Sequence, residues 1–359
     1  MMAKSVFFLV PYPPKVAPSQ RFRVELYEPL LKENNVRYEV AGFLDEATWK
    51  IIFKKGHHFK KAIGIIKGYL RRIKHVFKAL NYDYVFIHRE ASPLGPPVFE
   101  WLLAKIFRKK IIYDFDDAIW IPNITAGNEL ALWLKAYWKV KYICRWSYVV
   151  TGGNQFLNDY ARQSGARQTV FLPTCVDVIS KHNVVKTHSD HKPVVGWTGS
   201  HSTLFYLDEI IPVIKALQDE LDFSFLVIAD KKPNLDLKDW HFMPWNETTE
   251  APDLLNMDIG IMPLKRDAWS EGKCGFKLIQ YLSCGIPAIA DPVGVNQQII
   301  ENGKNGFVCA DKKEWKERLS LLIRDASLRE QLGANGRKKI VEEYSIQSQA
   351  EKFLSLLAS

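Results

Sequence analysis

Residues 269–290, which read WSEGKCGFKLIQYLSCGIPAIA, decide how the second half of the chain folds. An apolar run at 259–262 predicts a strand that leads into a polar loop containing Gly272 and Gly275. A helical pattern follows this loop, and the apolar run 286–290 predicts another strand directly after the helix. Strand, loop, helix and strand in this order are typical of a parallel sheet covered by helices.

The same alternation extends in both directions along the chain. The sequence predicts first-half strands over residues 6–10, 38–43, 84–88, 111–115, 148–151 and 169–172. It predicts second-half strands over residues 194–197, 223–229, 257–262 and 286–290. We therefore expect an α/β fold of two doubly wound, Rossmann-like domains facing a cleft, with ligands bound at the carboxyl ends of strands.

The length and composition support two globular domains. A chain of 359 residues exceeds what one hydrophobic core usually holds, and 47% hydrophobic residues exclude a disordered chain. A polar stretch at 182–192 predicts the linker between them. We expect an N-terminal domain over 1–185, a C-terminal domain over 186–345, and a C-terminal helix over 346–359 that packs back on the N-terminal domain.

Several features indicate a protein that works in the cytoplasm. No stretch of 18 apolar residues is present, so we expect no membrane span. The apolar run at 5–10 ends at Pro11 without a cleavage site, and we interpret it as a buried strand instead of a signal peptide. The five cysteines are odd in number and show no metal-like spacing, which fits a reducing compartment.

Positive charge is concentrated in the first half. Residues 1–190 carry 29 Lys and Arg against 16 Asp and Glu, whereas residues 191–359 carry 20 against 24. Such an asymmetric field indicates an anionic partner: a membrane surface, a nucleic acid or a phosphorylated substrate.

Residues 48–82 contain ten Lys and Arg and no Asp or Glu, and they predict a basic amphipathic helix. We expect its apolar stripe, which includes Ile66, Leu70 and Ile73, to pack on the sheet. The outer face is then basic, with Lys60, Lys61, Arg71 and Arg72, and contacts an anionic membrane. The alternative is a solvated cationic face.

The loop and helix of residues 269–290 also predict a phosphate site. Gly272 and Gly275 allow close backbone approach, and the start of a helix presents N–H groups and the positive end of its dipole. Lys273 and Lys277 are four residues apart, so on a helix both reach one diphosphate. An ordinary loop with two solvated lysines is the alternative.

This segment resembles the donor-site signature of the retaining GT-B glycosyltransferases of family four, the glycosyl transferases group 1. The resemblance lies in residues 276–281 and 284–287 and continues through 291–295, 299–307 and 332–337. It implies the two-domain GT-B fold. It also implies transfer of a sugar from a nucleotide-diphosphate-sugar donor to a lipid-linked or polysaccharide acceptor, with retention of anomeric configuration.

The resemblance assigns roles to residues of the second domain. The family's first motif glutamate, which touches the donor sugar, corresponds to Glu271 only after a shift of one residue, since Gly272 stands at the ungapped position. The second motif glutamate, which binds the ribose, is replaced by Gln280. Trp197 occupies the place of a phosphate-binding Arg. The expected donor-binding residues are Gly196, Thr198, Gly199, Ser200, Lys273, Gly275, Phe276, Lys277 and Gln280, with Trp245 beside the base.

Two polar clusters follow predicted strands of the first domain. Asp116 and Asp117 are expected, with Glu271, to act in catalysis by holding hydroxyls or by stabilising a cationic sugar transition state. Arg21, His88 and Glu90 are expected on the acceptor side. Asp114-Phe115-Asp116 also matches the Asp-x-Asp metal motif of the other glycosyltransferase fold, GT-A, but we expect no metal and no cofactor, because the phosphate machinery lies in the second half.

The sequence thus predicts a cytoplasmic glycosyltransferase, peripheral on the inner face of the membrane. Its expected partners are a nucleotide-sugar donor, a lipid-linked or glycan acceptor and an anionic membrane surface. One alternative is a catalytically degenerate protein that binds a nucleotide-sugar, which the residues at 197, 272 and 280 keep open. The other is a basic nucleic-acid-binding protein, although no RNA or DNA motif accompanies the charge.

Overall fold

The computed structural model describes residues 4–122, 129–189 and 191–358 and divides into two units. The first unit contains residues up to Thr174 together with Gln349–Ser359, and the second contains Cys175–Ser348. The sequence predicts the boundary at residue 185, but Val176 and Val178 are already part of the second unit's core.

The first unit is a six-stranded parallel sheet in the order β2-β1-β3-β4-β5-β6. Its strands are β1 Ser5–Val10, β2 Arg37–Gly42, β3 Tyr84–His88, β4 Lys110–Phe115, β5 Val149–Gly152 and β6 Thr169–Phe171. Its helices are α1 Pro18–Arg23, α2 Glu28–Glu33, α3 Glu46–Ile52, α4 His58–Ala79, α5 Val98–Trp101, α6 Glu129–Lys135, α7 Lys139–Trp146 and α8 Gln155–Gln163. A 3-10 helix, Glu25–Tyr27, and a π-helix, Leu102–Ile106, complete it.

The second unit is also a six-stranded parallel sheet, in the order β12-β11-β10-β7-β8-β9. Its strands are β7 Val194–Gly199, β8 Ser224–Ala229, β9 Trp240–Pro244, β10 Ile259–Met262, β11 Ala288–Ala290 and β12 Gly306–Val308. Its helices are a 3-10 helix His201–Glu209, α9 Ile211–Gln218, α10 Glu250–Leu254, α11 Ala268–Glu271, α12 Phe276–Ser283, α13 Asn296–Ile299, α14 Lys312–Arg324 and α15 Ala326–Glu343.

Each sheet of this kind is buried on both faces. In β8, Phe225 and Val227 belong to one core cluster of the second unit, and Leu226 and Ile228 belong to another. Since successive side chains of a strand point to opposite faces, the two clusters cover the two faces of the sheet. The predicted fold class, two doubly wound α/β sheets, is confirmed.

The last helix, α16 Ile346–Ser355, begins in the second unit and continues into the first. In the first unit the Phe353 ring stacks on Tyr27 at a centroid distance of 3.9 Å, which fixes the end of the chain there.

The predicted linker at 182–192 is bound to the second unit. The Lys186 N–H donates to the Cys284 carbonyl at 2.8 Å, and the Lys186 ammonium pairs with the buried Asp258 at 3.1 Å. His188 Nε2 lies 3.0 Å from the Gly285 carbonyl. Asp190 of this stretch lies outside the described residues. The described part is therefore an attached strap, and its low apolar content alone could not reveal these contacts.

The basic helix forms as α4, but its orientation differs from the prediction. Ile66, Leu70 and Ile73, expected on the sheet, are 59%, 58% and 45% exposed. Arg72, expected on the outer face, is fully buried and donates to the carbonyls of Val10 and Ala41. Both expectations are wrong because glycines, not the large side chains, form the packed face. Within the described ranges, no helix is long and apolar enough to cross a bilayer.

Candidate functional site

In each sheet, later strands lie on both sides of the first strand, so the strand order reverses its direction there. In the first unit β1 lies between β2 and β3, and in the second unit β7 lies between β10 and β8. Doubly wound folds bind ligands at such switch points, outside the carboxyl ends of the strands. The loops after β1, β3, β7 and β10 are therefore the places to examine.

The loop after β7 carries hydroxyl groups at the switch point of the second unit. Ser200 and Ser202 are exposed, with their Oγ atoms 2.8 Å apart. The Thr198 N–H donates to the Tyr281 hydroxyl at 2.9 Å, so this amide is engaged within the unit. Gly199 is required by close packing, since a Cβ there would lie 2.4 Å from the Trp197 ring. The loop thus presents the Ser200 and Ser202 hydroxyls on its exposed surface.

Two lysines, one before α12 and one in its first turn, lie over tryptophan rings. The Lys277 Nζ lies 5.4 Å from the ring centroid of Trp197, which is buried in β7. The Lys273 Nζ lies 5.0 Å from the ring centroid of Trp269. Trp197 therefore does not replace the expected arginine as a ligand group. It forms an aromatic wall against which Lys277 is positioned.

Gly275 sets the start of α12. It adopts a φ of +66°, and an added Cβ would lie 2.2 Å from the Ile299 side chain. Only glycine satisfies both the left-handed backbone and this close contact. Phe276, the first residue of the helix, packs partly against the core, and this anchors the helix N-terminus beside β7.

Glu271 is held by the loop that follows β11. Its Oε2 accepts a hydrogen bond from the Gly294 N–H at 3.0 Å. Gly294 has a φ of +56°, and a Cβ there would lie 3.1 Å from the Glu271 carbonyl oxygen. The carboxylate predicted to touch the donor sugar is thus oriented by a backbone amide.

Gln280 is 3% exposed within α12. Its Nε2 makes no hydrogen bond to any described residue. An unsatisfied buried amide costs about 1–3 kcal/mol, so this group gains from an acceptor that reaches it.

Trp245 follows β9, a strand that the sequence analysis missed because residues 240–244 alternate weakly. The indole is partly buried against the core, and its Nε1 donates to Glu250 at 3.4 Å. Trp245 therefore lies at the carboxyl end of the edge strand β9. This strand is two strands away from β7, whose Trp197 ring contacts Lys277.

The switch point of the first unit is a buried polar network centred on Asp114. His88, the last residue of β3, is fully buried, with Nδ1 2.8 Å from Asp114 and Nε2 2.9 Å from the Ser19 hydroxyl. Arg23 pairs with the same carboxylate, and the Thr151 hydroxyl donates to it at 2.7 Å. His88, predicted on the acceptor side, therefore has both ring nitrogens engaged inside the unit.

A second ion-pair cluster lies directly beyond this network. Arg89 contacts Asp116 at 2.8 Å and Asp117 at 2.6 Å through one guanidinium nitrogen. Arg89 has a φ of +61°, a conformation that costs a non-glycine residue about 1–2 kcal/mol. The hydrogen bond from the Tyr113 hydroxyl to the Arg89 carbonyl, at 2.8 Å, helps hold it.

The charges of these clusters favour ionised carboxylates. Burial alone would raise the pKa of Asp116, but the Arg89 charge and then His88 outweigh burial and lower it below its ordinary value. Burial likewise opposes ionisation of Asp114, and the Arg23 charge and the His88 hydrogen bond lower its pKa. Asp116 and Asp117 in turn raise the pKa of Arg89, against its burial. The network is therefore charged and preorganised at neutral pH.

The other predicted acceptor-side residues have separate surroundings. Glu90 pairs with the buried Lys139 at 2.8 Å. Arg21 is buried in α1, with its guanidinium 5.1 Å from the Phe22 ring centroid. Sequence reasoning missed Ser19 and Thr151, because no local pattern distinguishes them from ordinary helix-start or strand residues.

The two aspartates of the Asp-x-Asp motif form ion pairs with different cationic side chains. Asp114 pairs with Arg23 and His88, whereas Asp116 pairs with Arg89. In the part of the chain that the structure describes, no group of three or more His, Cys, Asp or Glu side chains is arranged to hold a metal ion.

The second unit matches a known family. Residues 191–339 match the model of the family described as glycosyl transferases group 1, and this confirms the resemblance found in residues 269–290. The match includes the loop after β7 and the whole segment from β10 to α12.

Individual proteins support the same relationship. The capsular polysaccharide biosynthesis glycosyltransferase CapM of Staphylococcus aureus is 32% identical over 94 residues, which are 26% of this chain and 23% of that protein. The chain thus aligns with less than a quarter of that relative's length.

Solved structures match the entire fold. Sucrose-phosphate synthase from Thermosynechococcus elongatus has a TM-score of 0.71 at 14% identity, covering 99% of this chain and 98% of that one. Anabaena HepE in complex with UDP and glucose has a TM-score of 0.67 at 14% identity, covering 99% of each chain. At these identities the likeness shows the fold, which is that of GT-B glycosyltransferases.

Proposed function

We propose that this protein is a glycosyltransferase that moves a sugar from a nucleotide-diphosphate-sugar donor to a lipid-linked or polysaccharide acceptor, with retention of anomeric configuration. The observation that carries the proposal is the family match over residues 191–339, which coincides with the switch point formed by the β7 loop and α12. HepE, a neighbour of the same fold, was solved with UDP and glucose, which supports a nucleotide-sugar as donor.

The second unit supplies the donor site in this proposal. Lys277, Lys273, the first turn of α12 and the hydroxyls of Ser200 and Ser202 neutralise the diphosphate and stabilise its charge as it leaves. Glu271, oriented by the Gly294 amide, accepts hydrogen bonds from hydroxyls of the donor sugar. No metal or other cofactor is needed, because these cationic and dipolar groups perform the electrostatic role.

The first unit binds the acceptor in this proposal. Asp116 and Asp117 share Arg89, so two carboxyl groups face one guanidinium group. Such carboxylates accept hydrogen bonds from sugar hydroxyls and stabilise an oxocarbenium-like transition state. His88 and Asp114 are positioning residues, since their burial keeps them from a ligand while they hold Ser19 and the end of β3.

A panel of UDP-, GDP-, ADP- and dTDP-sugars tests the proposal. Each donor is incubated with the full chain and with extracted lipid or polysaccharide acceptors, and released nucleotide and glycosylated product are measured. We expect one nucleotide class to give product, and NMR of that product to show the donor's anomeric configuration. Product of inverted configuration would contradict retention, and binding of none of the nucleotides would contradict the function.

A second candidate is a protein that binds a nucleotide-sugar without turnover. The replacement of the second motif glutamate by Gln280 favours it, because an amide cannot supply the charge of a carboxylate. Nucleotide-sugar binding without transfer or hydrolysis would support this candidate.

We further propose that the protein works at the anionic inner surface of the membrane, in the cytoplasm, as the basic first half indicates.

A further inference from the structure

Helix α4 turns a row of large apolar side chains toward solvent. These residues, here called the apolar ridge, are 36% to 79% exposed: Phe59, Ile63, Ile66, Leu70, Ile73 and Phe77. At about 100° per residue they fall within an arc of about 80° on one side of the helix. The opposite side carries the buried residues Gly64, Gly68, Arg72, Val76 and Ala79.

The exposure of the ridge follows from how the other side of α4 packs. A Cβ on Gly64 would lie 2.3 Å from the Thr48 hydroxyl, and a Cβ on Gly68 would lie 2.5 Å from the Phe43 ring. Arg72 reaches between the strands to donate to two carbonyls. Rotating the helix to bury the ridge would place leucine and isoleucine where only glycine fits, so the sequence specifies the exposed orientation.

Further exposed apolar residues lie on a segment that adjoins α4. The Phe77 ring lies 6.1 Å from Phe107, and Tyr69 lies 6.0 Å from Phe99, so α4 adjoins the segment of α5 and the π-helix. Trp101 in that segment is 42% exposed, and other apolar residues of the segment are exposed too. Contiguous apolar surface of this kind on a water-facing side marks an interaction site.

Within the described residues, three lysines that are not paired with acids border the ridge. Lys60, Lys67 and Lys74 are exposed and lie on one flank of the ridge. None of the three forms an ion pair with a carboxylate in the described parts of the chain. The pairs that do form on this helix involve Lys78 with Glu39 and Arg71 with Asp45.

We propose that the apolar ridge inserts into the interface of an anionic phospholipid bilayer, with Lys60, Lys67 and Lys74 at the headgroups. An apolar face beside a basic flank is complementary to acyl chains beneath anionic headgroups. A second copy of the chain would bring the same uncompensated lysines against these. A nucleic acid would use the lysines but leave the ridge uncovered. The inference deepens the proposed membrane partner and rests on that part of the proposed function, independently of sugar transfer.

Vesicle flotation of the full chain tests this inference. The vesicles contain phosphatidylcholine with or without phosphatidylglycerol, and the ridge variant carries Ile66→Ser, Leu70→Ser and Ile73→Ser. A matched control carries Leu321→Ser and Val341→Ser, which are exposed apolar positions of the second unit. We expect the wild type and the control to float with anionic vesicles, and the ridge variant to bind at least about tenfold more weakly.

A charge variant with Lys60→Ser, Lys67→Ser and Lys74→Ser separates the two contributions. We expect it to lose about tenfold or more in binding at low salt, with a smaller loss at high salt where the charges are screened. Circular dichroism checks that each variant folds, and UDP binding, measured separately, reports the second unit. Flotation without nucleotide binding would leave this inference standing while the transferase proposal fails.

Three results would overturn the inference. The first is a wild type that does not float with anionic vesicles at low salt. The second is a ridge variant that floats like the wild type. The third is evidence for another partner. Concentration-dependent self-association of the wild type that is seen by ultracentrifugation and disappears in the ridge variant would give such evidence. An affinity for an RNA oligonucleotide that exceeds that for vesicles and depends on the lysines alone would also give it. The last pair of findings would identify a second copy or a nucleic acid as the occupant.

Discussion

At the switch point of the first unit, the side chains of Arg23, His88 and Asp114 are at most 1% exposed. At the switch point of the second unit, Ser200 is exposed and Lys277 is only partly buried. The first arrangement fills its own site with ion pairs and hydrogen bonds, which fix geometry. The second presents hydroxyl and ammonium groups, which suit an anionic ligand. Similar topologies can thus carry a positioning network in one unit and a binding surface in the other.

Removing the centre of the buried network should give the largest effect. Asp114→Ala leaves Arg23 and His88 buried without their carboxylate, and we expect a loss of about 3–5 kcal/mol in unfolding free energy. Calorimetric unfolding measures this loss. Asp159→Ala, which breaks the exposed pair with Arg162, is the control, with an expected loss within about 1 kcal/mol. Equal losses of unfolding free energy in the two variants would mean that the buried network contributes no more stability than an exposed ion pair.

The switch point of the second unit is tested at Lys277. Lys277→Ala should weaken nucleotide-diphosphate binding by about 1.5–3 kcal/mol, the range for a charge-assisted hydrogen bond, without lowering the melting temperature. Titration calorimetry with UDP, GDP, ADP and dTDP measures it, and Lys316→Ala on the exposed surface of α14 serves as the control. An unchanged dissociation constant would remove Lys277 from the donor site.

The sequence predicted most strands correctly, and it indicated a candidate site in the second unit, because the features behind both predictions are local. Buried apolar runs identify strands such as 84–88, and the glycine-lysine loop before α12 is contiguous in the chain. The short edge strands β9 and β12 were missed, since edge positions tolerate mixed residues and give weak patterns. The Asp114 network joins residues from α1, β3, β4 and β5, a combination that only the folded sheet creates.

The orientation of α4 shows a second limit. An apolar stripe ordinarily packs on the core, and that rule predicted the wrong face here. The informative signal was the spacing of Gly64 and Gly68, four residues apart, because small residues permit the closest helix packing. Arg72 continues the same line and is buried, so a charge pattern alone misplaced it.

A buried carboxylate of the second unit sharpens the comparison through pH. Asp258 is fully buried near Lys186 and His188. Burial opposes its ionisation, but the neighbouring His188 side chain and then the Lys186 charge lower its pKa below the ordinary 3.8. A depressed carboxyl pKa adds stability above the ordinary value, and this stability is lost as pH falls below about 4. Asp258→Asn should cost about 1.5 kcal/mol at neutral pH and flatten the acid limb of the stability profile.

Stability measured from pH 6 down to about pH 2 checks this prediction. Asp236→Asn, at an exposed carboxylate paired with Lys215, is the matched control and should keep the wild-type acid limb. If the Asp258→Asn profile kept the wild-type slope, the strap at residues 186–189 would owe its attachment to contacts other than the ion pairs of Asp258, such as those with the Cys284 and Gly285 carbonyls.

The smallest expected effect is that of a chelator on transfer. In the first unit the carboxylates of Asp114 and Asp116 already face guanidinium groups, and in the second unit lysines and a helix N-terminus face the proposed diphosphate. Neither arrangement calls for a divalent ion, so product formation in the nucleotide-sugar assay should be unchanged within error after EDTA. A metal-dependent glycosyltransferase serves as the positive control for chelation. Complete loss of product that Mg²⁺ restores would make Asp114 and Asp116 candidates for metal ligands, and their pairing with Arg23 and Arg89 would then describe only the metal-free protein.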